Sequence, residues 1–264
     1  MTISNRRFGV ELELISIWER GEIGHQIEAL LGKPAVWDGH RDRDSYKYKY
    51  WEVKSDCTVY IEHRYTTNLE ITSPILSGEE GIMELALVVN ELESIQSRFN
   101  GGDWMPAIKA NTSCGLHVHH DVTDLDENSI KRLYEWAMST KLEKILEQLV
   151  APHRINGDYS KRLGRGWHDD SNNRYKSINF GSYWGKGTLE FRLHDGTIDP
   201  NRIIPWVILT QNAIEVLMEV KHTKNFHIED VTDILTDWDD YSEIVANYYN
   251  ERRLYDRKRV EETA

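Results

Sequence analysis

The sequence predicts an α+β protein on a largely antiparallel, curved β-sheet with helices on its convex face. Segments of strand character follow one another singly between helices, without the regular βαβ spacing of a parallel sheet. Four segments alternate apolar and polar residues at the period of a strand, and others repeat apolar residues at the period of a helix. The polar faces of those four strands carry nearly all of the candidate chemistry, which predicts a concave working surface with helices packed behind it.

Taken in chain order, FGVELEL turns Phe8, Val10, Leu12 and Leu14 one way and Glu11 and Glu13 the other. An irregular insert follows, in which GHRDRDSYKYKY (39–50) is charged and tyrosine-rich. In WEVKSDCTV, Asp56 reads either as a turn aspartate or as a further polar-face residue. NLEITSPI puts Glu70 on a short strand ending at Pro74. Residues 79–99 align Ile82, Leu85, Val89, Leu92 and Ile95 on one helix face. GLHVHHD sets Leu116 and Val118 against His117 and His119. Residues 125–150 repeat the helical spacing with Ile130, Leu133, Ala137, Ile145 and Leu149, and Asp124 is the expected N-cap with Glu127 completing a capping-box-like pattern. Residues 152–176 form a long basic loop with Arg154, Lys161, Arg162, Arg165, Arg174 and Lys176; a loop of this length in a compact domain is more often functional or disordered than idle. TLEFRLH alternates Leu189, Phe191 and Leu193 with Glu190, Arg192 and His194. A helix from Pro200 to Val220 opens with Asp-Pro, an N-cap before proline at the first helical position. A polar, tyrosine-rich helix over 239–259 is expected on the outside, within a C-terminal helical segment 226–264. There is no internal repeat or long low-complexity linker, so residues 1–264 are expected to form a single domain.

The 264 residues are 39% hydrophobic and 29% charged, ordinary for a globular protein with a sizeable core. A net charge of −12 argues against non-specific binding of duplex nucleic acid, which needs a basic footprint. Cys57 and Cys114 are too few for a disulfide framework or a cysteine-based structural zinc site, and both read as small packing residues. The start has no apolar run of signal-peptide length and no later stretch suits a bilayer span, so a soluble cytoplasmic protein without a membrane partner is expected.

Each polar face has a plain reading and a chemical one. Glu11 and Glu13 suit either the solvated side of an edge strand or a hard divalent cation. The histidines suit a satisfied polar group, a metal site or a phosphate contact. HVHHD shares H-x-H with the H-x-H-x-D-H of metallo-β-lactamase-like hydrolases but lacks its spacing and terminal histidine, which disfavours a three-histidine zinc centre. Glu190 and Arg192 suit either an ion pair or a metal-bound carboxylate beside a guanidinium that grips a phosphoryl group. Four such faces in one chain make independent accidents a poor explanation.

The motifs FGVELEL, WEVKSDCTV, LEITSPIL, CGLHVHHDV, RYKSINF and GTLEFRLHDGTID, in this order, resemble the putative amidoligase family, a group of carboxylate–amine ligases related to glutamine synthetase. The resemblance runs from about Phe8 to the helix after Asp199. It implies a glutamine-synthetase-like catalytic fold and ATP-dependent joining of a carboxylate to an amine through an acyl-phosphate, with ATP and Mg2+ (or Mn2+ in its place). By similarity, Glu11, Glu13, Glu70, His117 and Glu190 are the metal ligands. His119 and Arg192 contact the nucleotide phosphates, with Arg174 and Arg162 as further contacts, and Arg192, Glu13 and His119 form the catalytic set. The partners implied are small-molecule or peptide carboxylates and amines, and the relation to glutamine synthetase allows a homo-oligomer.

Three other classes compete. A metal-dependent hydrolase would use the same acids and histidines with a metal-bound water, but leaves Arg192 beside Glu190 unexplained. A guanidino kinase would transfer phosphoryl to nitrogen, but its motifs match poorly. A non-catalytic binding protein would not need the polar faces intact.

Overall fold

The computed structural model describes residues 4–38, 48–61, 63–98, 107–139, 142–219, 247–248 and 250–251. The chain divides into two compact units, one of Arg7–Val118 with Asp195–Ile204, the other of Met1–Arg6, His119–His194 and Pro205–Ala264. Both are mixed α+β, and the strands are mostly antiparallel. The insert 39–47 and most of the segment 226–264 lie outside the described residues.

In the first unit the strand order is β2-β3-β4-β1-β6, with β5 also pairing β1. Strand β1 (Phe8–Ser16) runs antiparallel to β4 (Thr67–Thr72), and β4 antiparallel to β3 (Glu52–Lys54), whereas β2 (Val36–Trp37) is parallel to β3. Strand β5 (Ile108–Lys109) pairs with the end of β1, and β6 (Leu116–Asp121) begins in this unit. The alternation read from FGVELEL holds, since Phe8, Val10, Leu12 and Leu14 are all buried. Strand β1 is an interior strand, however, so its glutamates do not sit on a solvated edge, and Glu13 is only 7% exposed.

Helix α1 (Arg20–Leu31) occupies a stretch whose sequence reads as irregular. Its ends are well specified: the Glu22 carboxylate accepts the Glu19 N–H at 2.7 Å, and Gly32 adopts the left-handed conformation (φ 61°) that closes the last turn. The apolar signal is thin because Gly24, which costs helix propensity, is a packing device. A Cβ there would lie 2.3 Å from the Trp37 ring. Helix α2 (Gly78–Arg98) buries the five apolar residues expected of it.

In the second unit β6 continues beside β8 (Thr188–Phe191), and β8 is antiparallel to β7 (Ile178–Asn179). Over the helical stretch expected at 125–150, the described residues form α3 (Glu127–Ser139), α4 (Leu142–Leu146) and a 3-10 turn at Glu147–Leu149. Its cap is Asp126, which accepts the Ser129 N–H at 2.8 Å; Asp124 instead pairs with Arg6 at 2.8 Å. Short helices α5 (Trp167–Ser171) and α6 (Ser182–Lys186) follow. Helix α7 (Pro200–Glu219) begins in the first unit and is capped by Asp199, which accepts the Asn201 N–H at 2.9 Å. Tyr134, Trp167 and Phe180 meet edge to face at centroid distances of 5.4–6.1 Å. Tyr248 is buried, its hydroxyl 2.9 Å from His194 Nε2.

The basic segment 152–176 is folded in this unit. Buried Arg154 donates to the carbonyls of Arg192 (2.7 Å) and Leu193 (3.5 Å), and buried Lys176 pairs with buried Asp170 at 2.7 Å. Asp170 also accepts the Tyr134 hydroxyl and the Gly164 N–H. Burial works against the charge of Asp170, but these partners hold its carboxyl below the usual range. Arg154 thereby satisfies the two carbonyls that follow the end of β8 at Phe191.

Candidate active site

The first unit collects acids around one histidine. Glu11 and Glu13 project from the polar face of β1, and Glu70 lies across from Glu13 in the β1–β4 register. His117 Nδ1 is 3.4 Å from Glu11 Oε2, and its Nε2 is 3.6 Å from Glu13 Oε1. The other oxygen of Glu13 accepts the Gly115 N–H at 2.7 Å, which fixes the carboxylate. Lys54, opposite Glu70 in the β3–β4 register, places its ammonium 2.6 Å from Glu70 Oε1. Burial, then the charge of Glu11, pushes the Glu70 carboxyl up to about 7, against the pull of Lys54 and His117. Burial also opposes the charge on Lys54, but Glu70, Glu11 and Glu52 outweigh it and hold its affinity for the proton above the ordinary value. The charge of Glu11 thus adds to burial in holding the Glu70 carboxyl above the ordinary carboxylate range.

The second unit presents a basic cluster around one acid. The Glu190 carboxylate on β8 is ion-paired with Arg192 Nη1, accepts Asn179 Nδ2 at 2.6 Å, and lies 3.7 Å from His119 Nε2. His119 Nδ1 meets Thr188 Oγ1 at 3.0 Å, and Ser182 holds that hydroxyl at 2.8 Å. Lys186 Nζ reaches His119 Nε2 at 3.4 Å, and Arg192 Nε donates to the Tyr159 carbonyl at 3.3 Å. Glu190, His119, Asn179 and Arg192 are all buried.

Strand β6 supplies His117 to the first cluster and His119 to the second, both on its polar face. His120 points the other way, fully buried, with Nε2 2.8 Å from Thr210 Oγ1. Asp121 closes the strand by accepting the N–H and hydroxyl of Thr123 at 2.9 and 2.7 Å. Asp56 is a turn residue, accepting from Thr58 in the same manner. Arg162 makes a two-pronged ion pair with Glu147 at 2.5 and 2.7 Å, and exposed Arg174 stacks over Tyr175 at 5.1 Å. The contacts of these two arginines therefore lie with Glu147 and Tyr175. Cys114 is buried, as expected of a packing residue, but Cys57 is exposed in the turn after Asp56, so it packs nothing. Turn geometry rather than apolar contact places that thiol.

Reading the sequence alone missed Lys54, Asn179, Thr188 and Lys186. Asn179 lies within RYKSINF, Thr188 opens TLEF and Lys186 stands two residues before it, so proximity to the motifs was a usable signal for these three. Lys54 had none, because its role depends on strand register.

Buried, paired titratable groups gathered on strand faces are the make-up of an enzyme site rather than of a packing surface. A family model described as "Putative amidoligase enzyme" matches residues 4–165 and 153–214, and the chain belongs to that family. Membership points to an enzyme with a ligase-type function. No curated protein matches the chain. Among the described residues, no helix is long and apolar enough to cross a membrane.

Proposed function

We propose that the protein is an ATP- and Mg2+-dependent carboxylate–amine ligase with a glutamine-synthetase-like catalytic fold, forming an amide or peptide bond through an acyl-phosphate. The observation that carries this is the pairing of two kinds of cluster in one chain. One masses carboxylates until Glu70 resists ionisation, and the other masses basic groups about Glu190. A hydrolase built on a metal-bound water needs the first alone; phosphoryl transfer needs both.

In this reading Glu11, Glu13, Glu70, His117 and Glu190 hold Mg2+, which neutralises phosphate charge when bound. Arg192 and His119 bind the phosphates of ATP and stabilise charge that gathers on the γ-phosphate as the carboxylate oxygen attacks. ADP leaves, the deprotonated amine attacks the acyl-phosphate carbon, and phosphate departs. Glu13, fixed by Gly115, keeps the carboxylate array in register during these steps. The substrates are a small-molecule or peptide carboxylate and an amine, and the setting is cytoplasmic.

Incubation with Mg-ATP and pooled carboxylates and amines tests the proposal through ADP and phosphate release. Amine-dependent ADP formation is expected, with Glu11→Gln and Arg192→Ala each lowering turnover at least 100-fold, the scale of losing one preorganised charge contact. ATP-independent cleavage requiring Zn2+ would establish the hydrolase instead. Full activity in either variant would remove that residue from the site.

A further inference from the structure

We infer that the first unit carries a second ligand site, a cavity beside helix α2 that takes a small carboxylate with a planar apolar body. The site does not depend on the ligase reading and shares no residue with it.

The cavity measures about 140 Å³ and lies where three connections meet: the turn after α1, the residues leading into β3 and those leading into α2. Cavities of about 150 Å³ between apolar side chains hold a single benzene ring. Among the described residues, its apolar walls include Pro34, Trp51, Pro74 and Leu76, of which all but Pro34 are buried. The Val36 N–H donates to the Trp51 carbonyl at 2.8 Å, which carries the β3 pattern back by one residue. Trp51 therefore has the parity of buried Val53, opposite Lys54 and its partner Glu70. Its indole N–H donates to Glu84 Oε1 on α2 at 3.1 Å, which fixes the ring as one wall of the cavity.

The charged lining decides what the cavity accepts. It holds one acid and two lysines, Glu84, Lys33 and Lys49. Both oxygens of Glu84 are engaged, Oε1 by Trp51 and Oε2 by Lys33 Nζ at 2.5 Å. Lys49 is exposed and makes no ion pair or hydrogen bond among the described residues, so it is the uncompensated charge of the lining. A ligand that puts its ring between the prolines and Trp51 can leave a carboxylate within reach of Lys49 and of solvent. An ammonium in that place would meet a like charge and find Glu84 already committed. One free cation and room for one ring together select a monocarboxylate.

Trp51 is one of nine tryptophans, and Trp51→Phe identifies its indole N–H signal in a proton–nitrogen correlation spectrum. The intact protein is titrated with sodium benzoate and, separately, with benzamide, the neutral molecule of the same shape. Benzoate is expected to move the Trp51 signal saturably and leave most of the other tryptophan signals in place. Lys49→Met is expected to weaken benzoate roughly two- to fivefold, the scale of one partly solvated charge contact, and to leave benzamide unchanged. Added salt should weaken benzoate alone, and Lys49→Arg should restore its affinity. Absence of a saturable Trp51 shift overturns the site. Movement of most tryptophan signals together also overturns it, by showing that benzoate binds without a defined place. Equal affinity for benzoate and benzamide, or benzoate affinity unmoved by Lys49→Met, overturns the choice of an anion. None of these outcomes bears on the ligase reading, because no nucleotide or metal is present.

Discussion

His120 shows how one position can be chemically rich and still lie outside the site. Burial, then the nearby charges of Arg6 and His119, lowers its proton affinity to about 3. The unfolded chain therefore takes up a proton near the ordinary value of about 6.5 while the folded chain does not. The histidine's contribution is complete above about 6.5 and is lost as the pH falls towards 3, at up to about 1.4 kcal/mol per pH unit. Urea titrations of the protein and of His120→Leu, compared from pH 7 to pH 5, should show the intact protein losing ground on the variant as acid is added. A constant difference would mean that His120 is not neutral in the fold. Parity alone separated His120 from His117 and His119 in the sequence, so this part of the site was legible. The Glu70 partner was not, because Lys54 finds it through the β3–β4 register, which no local pattern encodes.

At the level of elements, the segment 152–176 is where structure departs furthest from sequence. Its cations read as one basic loop, yet Arg154 and Lys176 are buried and Arg162 is occupied by Glu147. Composition could not sort them, since each found its partner only through folding. Arg154 matters most for the site, because it fixes the main chain at Arg192 and Leu193. Arg154→Met should cost about 2–4 kcal/mol in urea unfolding, the penalty for orphaning buried carbonyls. Arg154→Lys should recover only part, because an ammonium cannot fork across consecutive carbonyls. Helix α1 escaped notice for a related reason: Gly24 reads as a helix breaker and is in fact where the helix meets Trp37. Helices α2 and α7 were legible because long apolar faces and an Asp-Pro start are local signals.

Over the whole molecule, the chain holds two cysteines in opposite situations. The Cys57 thiol stands in an exposed turn. Cys114 is sealed beneath Gly196, whose missing Cβ would otherwise come within 2.4 Å of the cysteine's own, and it packs with Ile15 and Val59. A neutral thiol reagent should therefore consume one equivalent rapidly from the native protein and a second only after denaturation. The slow step would be an intrinsic clock for the opening of the Arg7–Val118 unit, since Cys114 reacts only when its lid of backbone lifts. Two fast equivalents would show that this core breathes freely. Protection of Cys114 by added Mg-ATP, followed simply by counting thiols against time, would then report binding of the proposed nucleotide.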